Sequence, residues 1–218
     1  MKSLSLKTAI LVTLVSISNA AEGQMPPRKL KTCGVATPNI EVQLKLDYGS
    51  LTYDEGQSLR SVAGAPSDAM GLTLYQIGHS FRMEHDTRNQ NCIRIKKVEV
   101  SVKVETLKVL IDSSLPNGSC KYLKTKEHEN EHVRIIRSTL KEQAPSAKMN
   151  LVQKLSSIQP IEASKNFPDT YITAVTDLQD QVEVMVRDVI KEMERKVEDN
   201  NDAIDTSKSY RTILKDCL

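Results

Sequence analysis

Tryptophan is absent from this 218-residue chain and phenylalanine occurs only twice. Its core must therefore be built from Val, Ile, Leu and Met. Glycine is sparse, with eight residues in all, and no glycine-rich loop of the kind that cradles phosphate occurs. Histidine is scarcer still, at four, and no Gly-x-Ser-x-Gly elbow accompanies it, so no nucleophilic triad is supported. The four cysteines include no C-x-x-C pair, which argues against an all-thiolate zinc site. No apolar run reaches the roughly 20 residues that a membrane span requires.

The longest apolar run, Thr8 to Ser16, is about half that length and follows Lys2 and Lys7. Ser18-Asn19-Ala20 then places small residues where a signal peptidase reads, so residues 1–20 are expected to be a signal peptide cut after Ala20. No cysteine follows the cut to carry a lipid. The 30 basic side chains less Lys2 and Lys7 leave 28, against 28 acidic ones. A mature chain with formal charge zero offers no basic stripe for nucleic acid or anionic lipid. The expectation is an exported protein, periplasmic or secreted, with no stable membrane insertion once the signal is removed. An even cysteine count in that setting implies two disulfides. Of the three pairings, Cys92–Cys120 with Cys33–Cys217 is preferred: the first joins the start of a strand to the start of a helix, and the second ties the chain ends together.

Along the chain, residues 21–32 are a polar, proline-containing leader. Asn39 to Tyr48 alternates apolar with polar and predicts a strand with one buried face. Asp54 to Val62 predicts a short helix ended by Gly64 to Pro66. Gly71 to His85 alternates again, with Tyr75, Ile77, His79, Phe81, Met83 and His85 on one face. Cys92 to Val104 and Leu107 to Ile111 predict one long or two short strands, wet on one side. Pro116-Asn117-Gly118 turns the chain, and Ser119 is a good N-cap for a helix to about Gln143. Pro145 is expected to start a second helix to about Ile158, and Pro160 and Pro168 bracket a connector. A long amphipathic helix follows from about Asp169 to Glu198. Its stripe of Leu178, Val182, Met185, Val186, Val189, Ile190, Met193 and Val197 is read as core packing. Strands first and helices second give an α+β fold. In it, an N-terminal antiparallel sheet with a short helix precedes a helix carrying the H-E-x-x-H pattern and a C-terminal helical part. After the signal, residues 21–218 are expected to form a single domain, mainly strand over 21–118 and mainly helical over 119–218.

The chemistry lies in His128-Glu129-Asn130-Glu131-His132. On a helix, H-E-x-x-H sets two imidazoles one turn apart on one face, able to converge on one zinc ion, with the glutamate within reach of a water held there. The metal acidifies that water and polarises a carbonyl, and the glutamate takes the proton. Here His128 and His132 are the candidate metal ligands and Glu129 the candidate general base. At 100° per residue, Thr125, Ile135, Ile136, Leu140 and both histidines share one arc with Glu129 near its edge. Lys124, Glu127, Glu131, Arg134, Ser138 and Lys141 fall on the other side. The histidines are thus expected to face inward.

The segment Cys92…Leu110-Ile111…Leu115-Pro116…Cys120…His128-Glu129…His132-Val133 resembles an uncharacterised bacterial family of secreted proteins classed as zinc-dependent proteases on their H-E-x-x-H motif. The likeness covers about residues 39–140, with a further stretch at Asn201 to Tyr210. It implies a zincin-like domain, ligand roles for His128 and His132 and the base role for Glu129, but little about substrate; zinc-activated water attacking an amide makes a peptide or protein the expected substrate. The chain departs from that family in having no histidine after His132. A third ligand must then come from His79, from Glu183 or Glu192 beside the apolar stripe, or from Asp205; His85, beside Glu84 and Asp86, reads as solvated. Tyr122 and Tyr210 are candidates to stabilise an oxyanion, although packing accounts for both. The leading expectation is an exported zinc-dependent hydrolase of the peptidase type. The alternative is an exported binding or structural module that keeps a zinc-site helix without turnover.

Overall fold

Strand β4 (Cys92–Ile111) is the spine of the molecule, and its sequence explains its length. Its buried residues facing the main core are Ile93 and Ile95, then Val98, Val100, Val102 and Val104, then Leu107, Val109 and Ile111, while Leu110 is buried on the opposite face. The parity switches from odd to even and back. Each switch coincides with a register shift against the neighbouring strand, at Lys96 and at Glu105. A β-bulge inserts one residue, which restores the apolar set to the same face after the strand has bent. Twenty residues therefore keep one buried face, each large side chain contributing about 1.5–3 kcal/mol of burial.

The computed structural model describes residues 33, 39–62, 69–87, 92–163, 168–205 and 215–217. The expected signal peptide 1–20 and leader 21–32, with Gly64 to Pro66 and Tyr210, lie outside the described residues. Strand β3 (Gly71–Asp86) pairs antiparallel with β4 on one side. On the other side β1 (Glu41–Asp47) and β2 (Thr52–Asp54) pair parallel with it. The sheet is thus mixed, not antiparallel as expected. Alternating polarity says which face of a strand is buried but not which way it runs. Glu41 pairs with Lys97 and Thr52 with Lys108, the same offset, so β1 and β2 are two parts of one interrupted edge. The interruption sits opposite the Glu105 bulge. Gly49 adopts φ +63°, and a Cβ there would come within 2.1 Å of the Val104 carbonyl oxygen. Only glycine fits that approach.

The expected helix over Asp54 to Val62 is replaced by β2 and one 3-10 turn at Leu59–Ser61. The Gly56 amide donates to Asp54 Oδ1 at 3.1 Å, a local turn that competes with helix. From there the chain crosses the end of β4 to enter β3, and Asp112 fastens the crossing. Its carboxylate accepts from the Leu59 amide at 2.7 Å and the Ser114 amide at 2.9 Å, while its own amide donates to Met70 O at 2.9 Å.

Helix α1 (Cys120–Leu155) starts as expected, with Ser119 Oγ accepting from the Tyr122 amide at 3.2 Å. It does not break at Pro145. Pro145 is exposed, whereas Ala147, Leu151 and Leu155 are buried. A proline on the solvent side frees a carbonyl that water can satisfy, and a long helix can curve convex towards solvent there. A two-residue strand, β5 (Ile161–Glu162), pairs with the start of β4. Helix α2 (Pro168–Asp202) buries Leu178, Val182, Val186, Val189, Ile190, Met193 and Val197, so the stripe is core; Met185 packs partly buried against it. No helix among the described residues is long and apolar enough to cross a membrane.

The disulfides are Cys33–Cys92 and Cys120–Cys217, not the preferred Cys92–Cys120 and Cys33–Cys217. Cys92 and Cys120 sit at opposite ends of β4 plus its turn, too far apart for a bond whose Cα atoms must lie within about 7 Å. Cys33 is instead held beside Cys92 through its amide, which donates to Pro160 O at 3.0 Å. Two disulfides fit an oxidising, extracytoplasmic compartment.

Hydrogen bonds from Ser114, together with the Leu59 amide, hold the Asp112 carboxyl below its ordinary value. A depressed folded pKa makes its contribution present above about pH 3.9 and lost as pH falls through the folded value. Asp112→Asn is expected to cost about 1–3 kcal/mol at neutral pH. Denaturant melts should also show the variant losing less stability than wild type on acidification; an equal loss in both would mean that Asp112 is not the fastening group.

Candidate metal centre

Helix α1 passes over the entrance of β3 and beside the end of α2, so each side of its H-E-x-x-H turn meets a different element. Thr125, Glu129 and Ile136 point to the sheet and are 0–1% exposed. His128 and His132 point to the end of α2, their rings edge to face with centroids 4.9 Å apart. The inward placement expected from helical geometry is observed, and Glu131 turns outward to pair with Arg134.

The α2 stripe continues in steps of four past Val197 to Asn201 and Asp205. Asn201 is the last buried residue of the helix, and Ile204 closes a turn onto it, its amide donating to Asn201 O at 3.2 Å. That turn delivers Asp205. Its Oδ1 lies 3.1 Å from His128 Nε2 and 3.0 Å from His132 Nε2. Potential ligand atoms of His128, His132 and Asp205 all lie within 4.8 Å of one another, and this is the group of that kind found among the described residues.

Asn201 fixes the His132 ring. Its Nδ2 donates to Val197 O at 2.8 Å, a carbonyl that can only accept, so its Oδ1 faces His132 Nδ1 at 2.9 Å. Nδ1 must then carry a hydrogen, which leaves Nε2 with a lone pair in the neutral imidazole. That lone pair faces a carboxylate oxygen. Two acceptors stay at 3.0 Å only if a cation lies between them, either a proton or a metal ion. Burial disfavours charge on His132, but the hydrogen bond to Asp205 and the charge of Glu129 hold its pKa above the ordinary value. Burial would raise Asp205; the hydrogen bonds from His128 and His132 outweigh it and hold the carboxyl well below the usual range.

Glu129 is 1% exposed, and burial, only partly offset by His132 and Thr73, pushes its pKa up. Thr73 Oγ1 donates to Glu129 Oε2 at 2.8 Å and also lies 3.1 Å from the Glu129 carbonyl. Oε1 is buried with no hydrogen-bond partner among the described atoms. An orphaned carboxylate oxygen on the helix turn that carries both imidazoles, and within reach of their charge, fits a site that takes a metal and a water. Gly71 makes the room: a Cβ there would lie 2.6 Å from Glu129 Oε1 and 2.7 Å from Thr125 Cγ2.

Of the candidate third ligands, the structure brings only Asp205 to the histidines. His79 is exposed on β3, with the charges of Glu183 and Arg187 on α2 acting on it, and stays apart from the His128–His132 pair. Glu192 pairs with Arg195 at 2.6 Å. His85 Nε2 meets the Tyr171 hydroxyl at 2.7 Å. Tyr122 donates to Glu55 and accepts from Lys126, so its hydroxyl is engaged away from the histidines. Asn201, Thr73 and Gly71 were not singled out from sequence. A polar residue at the next i+4 step of an otherwise apolar stripe was the available signal for Asn201. For Gly71 and Thr73 there was none, because they act across the strand–helix contact.

Gly71→Ala is expected to destabilise the protein by about 1–3 kcal/mol, the usual cost of overpacking. Adding Glu129→Ala should recover part of that loss in a thermal-melt cycle, since the clash is with this side chain. Strict additivity would mean that the added methyl is accommodated elsewhere. Set against family models, curated proteins and solved structures, the chain matches none of them.

Proposed function

We propose that this chain is an exported zinc-dependent hydrolase of the peptidase class, with His128, His132 and Asp205 as metal ligands and Glu129 as general base. The observation that carries the proposal is the convergence of two Nε2 atoms on one Asp205 oxygen, from the helix turn that also bears the orphaned Oε1 of Glu129. Two imidazoles and one carboxylate are a donor set suited to zinc, and three protein ligands leave a position open, as a catalytic site requires. The resemblance to secreted zinc-dependent proteases points the same way.

When bound, zinc supplies a Lewis acid that polarises a carbonyl and acidifies water. Glu129 takes the proton from the attacking water as its oxygen bonds to the amide carbon. It then gives that proton to the departing nitrogen as the C–N bond breaks. Its raised pKa suits both halves of the task, because a base nearer neutrality is also a competent acid. Thr73 holds Oε2 and so leaves Oε1 for the water. Asn201 orients His132 as a hydrogen-bonding partner behind the ligand shell.

A second reading rests on the 1% exposure of Glu129. In it the chain is an exported binding or structural module whose zinc stabilises the α1–α2 contact without turnover.

Mature wild-type protein is expected to retain zinc through mild purification, and His132→Ala and Asp205→Ala to lose it by elemental analysis. Asn201→Leu should weaken zinc binding by about 10–100-fold. Equal, near-zero zinc in wild type and ligand variants would remove the metal. Glu129→Gln should keep zinc yet lose about 10²–10⁴-fold in casein or peptide cleavage. Undiminished cleavage in that variant excludes Glu129 as the base, whereas zinc without cleavage in wild type favours the second reading.

A further inference from the structure

Three side-chain atoms among the described residues are buried without a hydrogen-bond partner: Thr125 Oγ1, Glu129 Oε1 and Arg137 Nε. The first two belong to the sheet-facing side of α1 at the candidate site. Arg137 lies two turns further along, on the flank turned away from α2. There a groove of about 520 Å³ runs between α1 and the β1–β2 edge. Tyr48, Leu51 and Val133 form its apolar floor, Arg134, Arg137 and Lys141 its cationic wall, and no residue lining it is acidic.

The neighbouring cations on α1 are neutralised. Lys124 pairs with Glu127, Lys126 with Glu55 and Arg134 with Glu131. Arg137 and Lys141 have no ion pair among the described residues. The Arg137 side chain lines the groove, and the charge-assisted hydrogen bonds its guanidinium can give to a bound carboxylate are the strong kind. A bare inorganic anion would meet the cations and leave the apolar floor uncovered. A peptide that alternates acidic with apolar side chains would cover both.

We infer that this groove is a docking site for an extended acidic peptide segment. Arg137 and Lys141 take its carboxylates, and Tyr48, Leu51 and Val133 receive its intervening apolar side chains. The binding does not depend on turnover. If the chain is a peptidase, the groove selects acidic substrates.

The test uses the full mature chain with both disulfides and a short fluorescein-labelled peptide alternating Asp and Glu with Val, alongside its Asn/Gln counterpart. Fluorescence anisotropy is expected to show the acidic peptide binding, and binding that weakens as salt is added. Arg137→Met and Lys141→Met should each weaken it by about tenfold, while Lys191→Met on α2 leaves it unchanged. Circular dichroism and thermal melts establish that each variant is folded, and Arg137→Lys should recover part of the binding if charge alone is read. Equal binding of the acidic and amide peptides overturns the inference. So does unchanged binding in folded Arg137→Met and Lys141→Met, or no binding by wild type. Displacement of the acidic peptide by inorganic phosphate, with no dependence on its Val residues, would make the groove a simple anion site and equally overturn it. Loss of zinc in His132→Ala with peptide affinity intact would separate this groove from the metal centre.

Discussion

The contact between His132 Nε2 and Asp205 Oδ1 is the interaction on which the candidate metal centre depends. Through Asn201, the Val197 carbonyl dictates which ring nitrogen of His132 holds a hydrogen. The other nitrogen is thereby aimed, as a lone pair, at a carboxylate. In a solvated pair water would separate two acceptors. Here His132 is 6% exposed and Asp205 reaches it from the exposed side, yet the two acceptors lie 3.0 Å apart, so a cation must hold them together. A proton there makes an ion pair that joins α1 to α2. A metal ion there does the same and adds a reactive centre. The fold makes one demand, a positive charge at that point, and the protein's surroundings decide what meets it.

Much of this arrangement was legible because it follows from local periodicity. The H-E-x-x-H turn, its inward face, the Ser119 cap and the α2 stripe all rest on the 3.6-residue repeat. The one buried face of β4 was legible as alternation. Its continuity was written in the polar pairs Lys96-Lys97 and Glu105-Thr106, where the apolar parity switches and the bulges sit. What escaped depends on relations between distant residues. Strand direction is invisible in alternation, so the parallel pairing of β1 and β2 with β4 was missed. The disulfides followed the same pattern: cysteine spacing does not reveal that β5 brings Pro160 and Cys33 to the start of β4. Pro145 misled because its cost depends on which side of the helix it occupies, and that side is set by tertiary packing.

The sheet and the site are coupled through the end of β4. Asp112 ties the crossing chain at Leu59 and Met70, and Met70 leads directly into Gly71 and Thr73. These two residues set the space and the hydrogen bond for Glu129. A carboxylate with 1% exposure cannot be positioned by water, so its placement is only as firm as the strand beneath it. The fastening at Asp112 therefore has a direct path to the candidate base.

The candidate third ligand, Asp205, comes from beyond the second long helix, more than seventy residues after the two histidines, so the cluster cannot form until α2 has docked along α1. Local helix formation alone places His128 and His132, and supplies nothing opposite them. The Cys120–Cys217 disulfide closes a loop that contains α1, α2 and Asp205, bringing residue 217 back to the start of the helix that bears the histidines. In the chain-entropy description, closing a loop of that length stabilises the folded state by about 4–5 kcal/mol, relative to an unfolded chain free to separate its ends. A metal ion held by His128, His132 and Asp205 would stabilise the same docked arrangement, because the three side chains meet only there. Disulfide and cation thus act on one event, the closure of α2 and its tail onto α1. The apolar stripe from Leu178 to Val197 drives that closure, and its polar continuation at Asn201 and Asp205 turns a packing interface into a site.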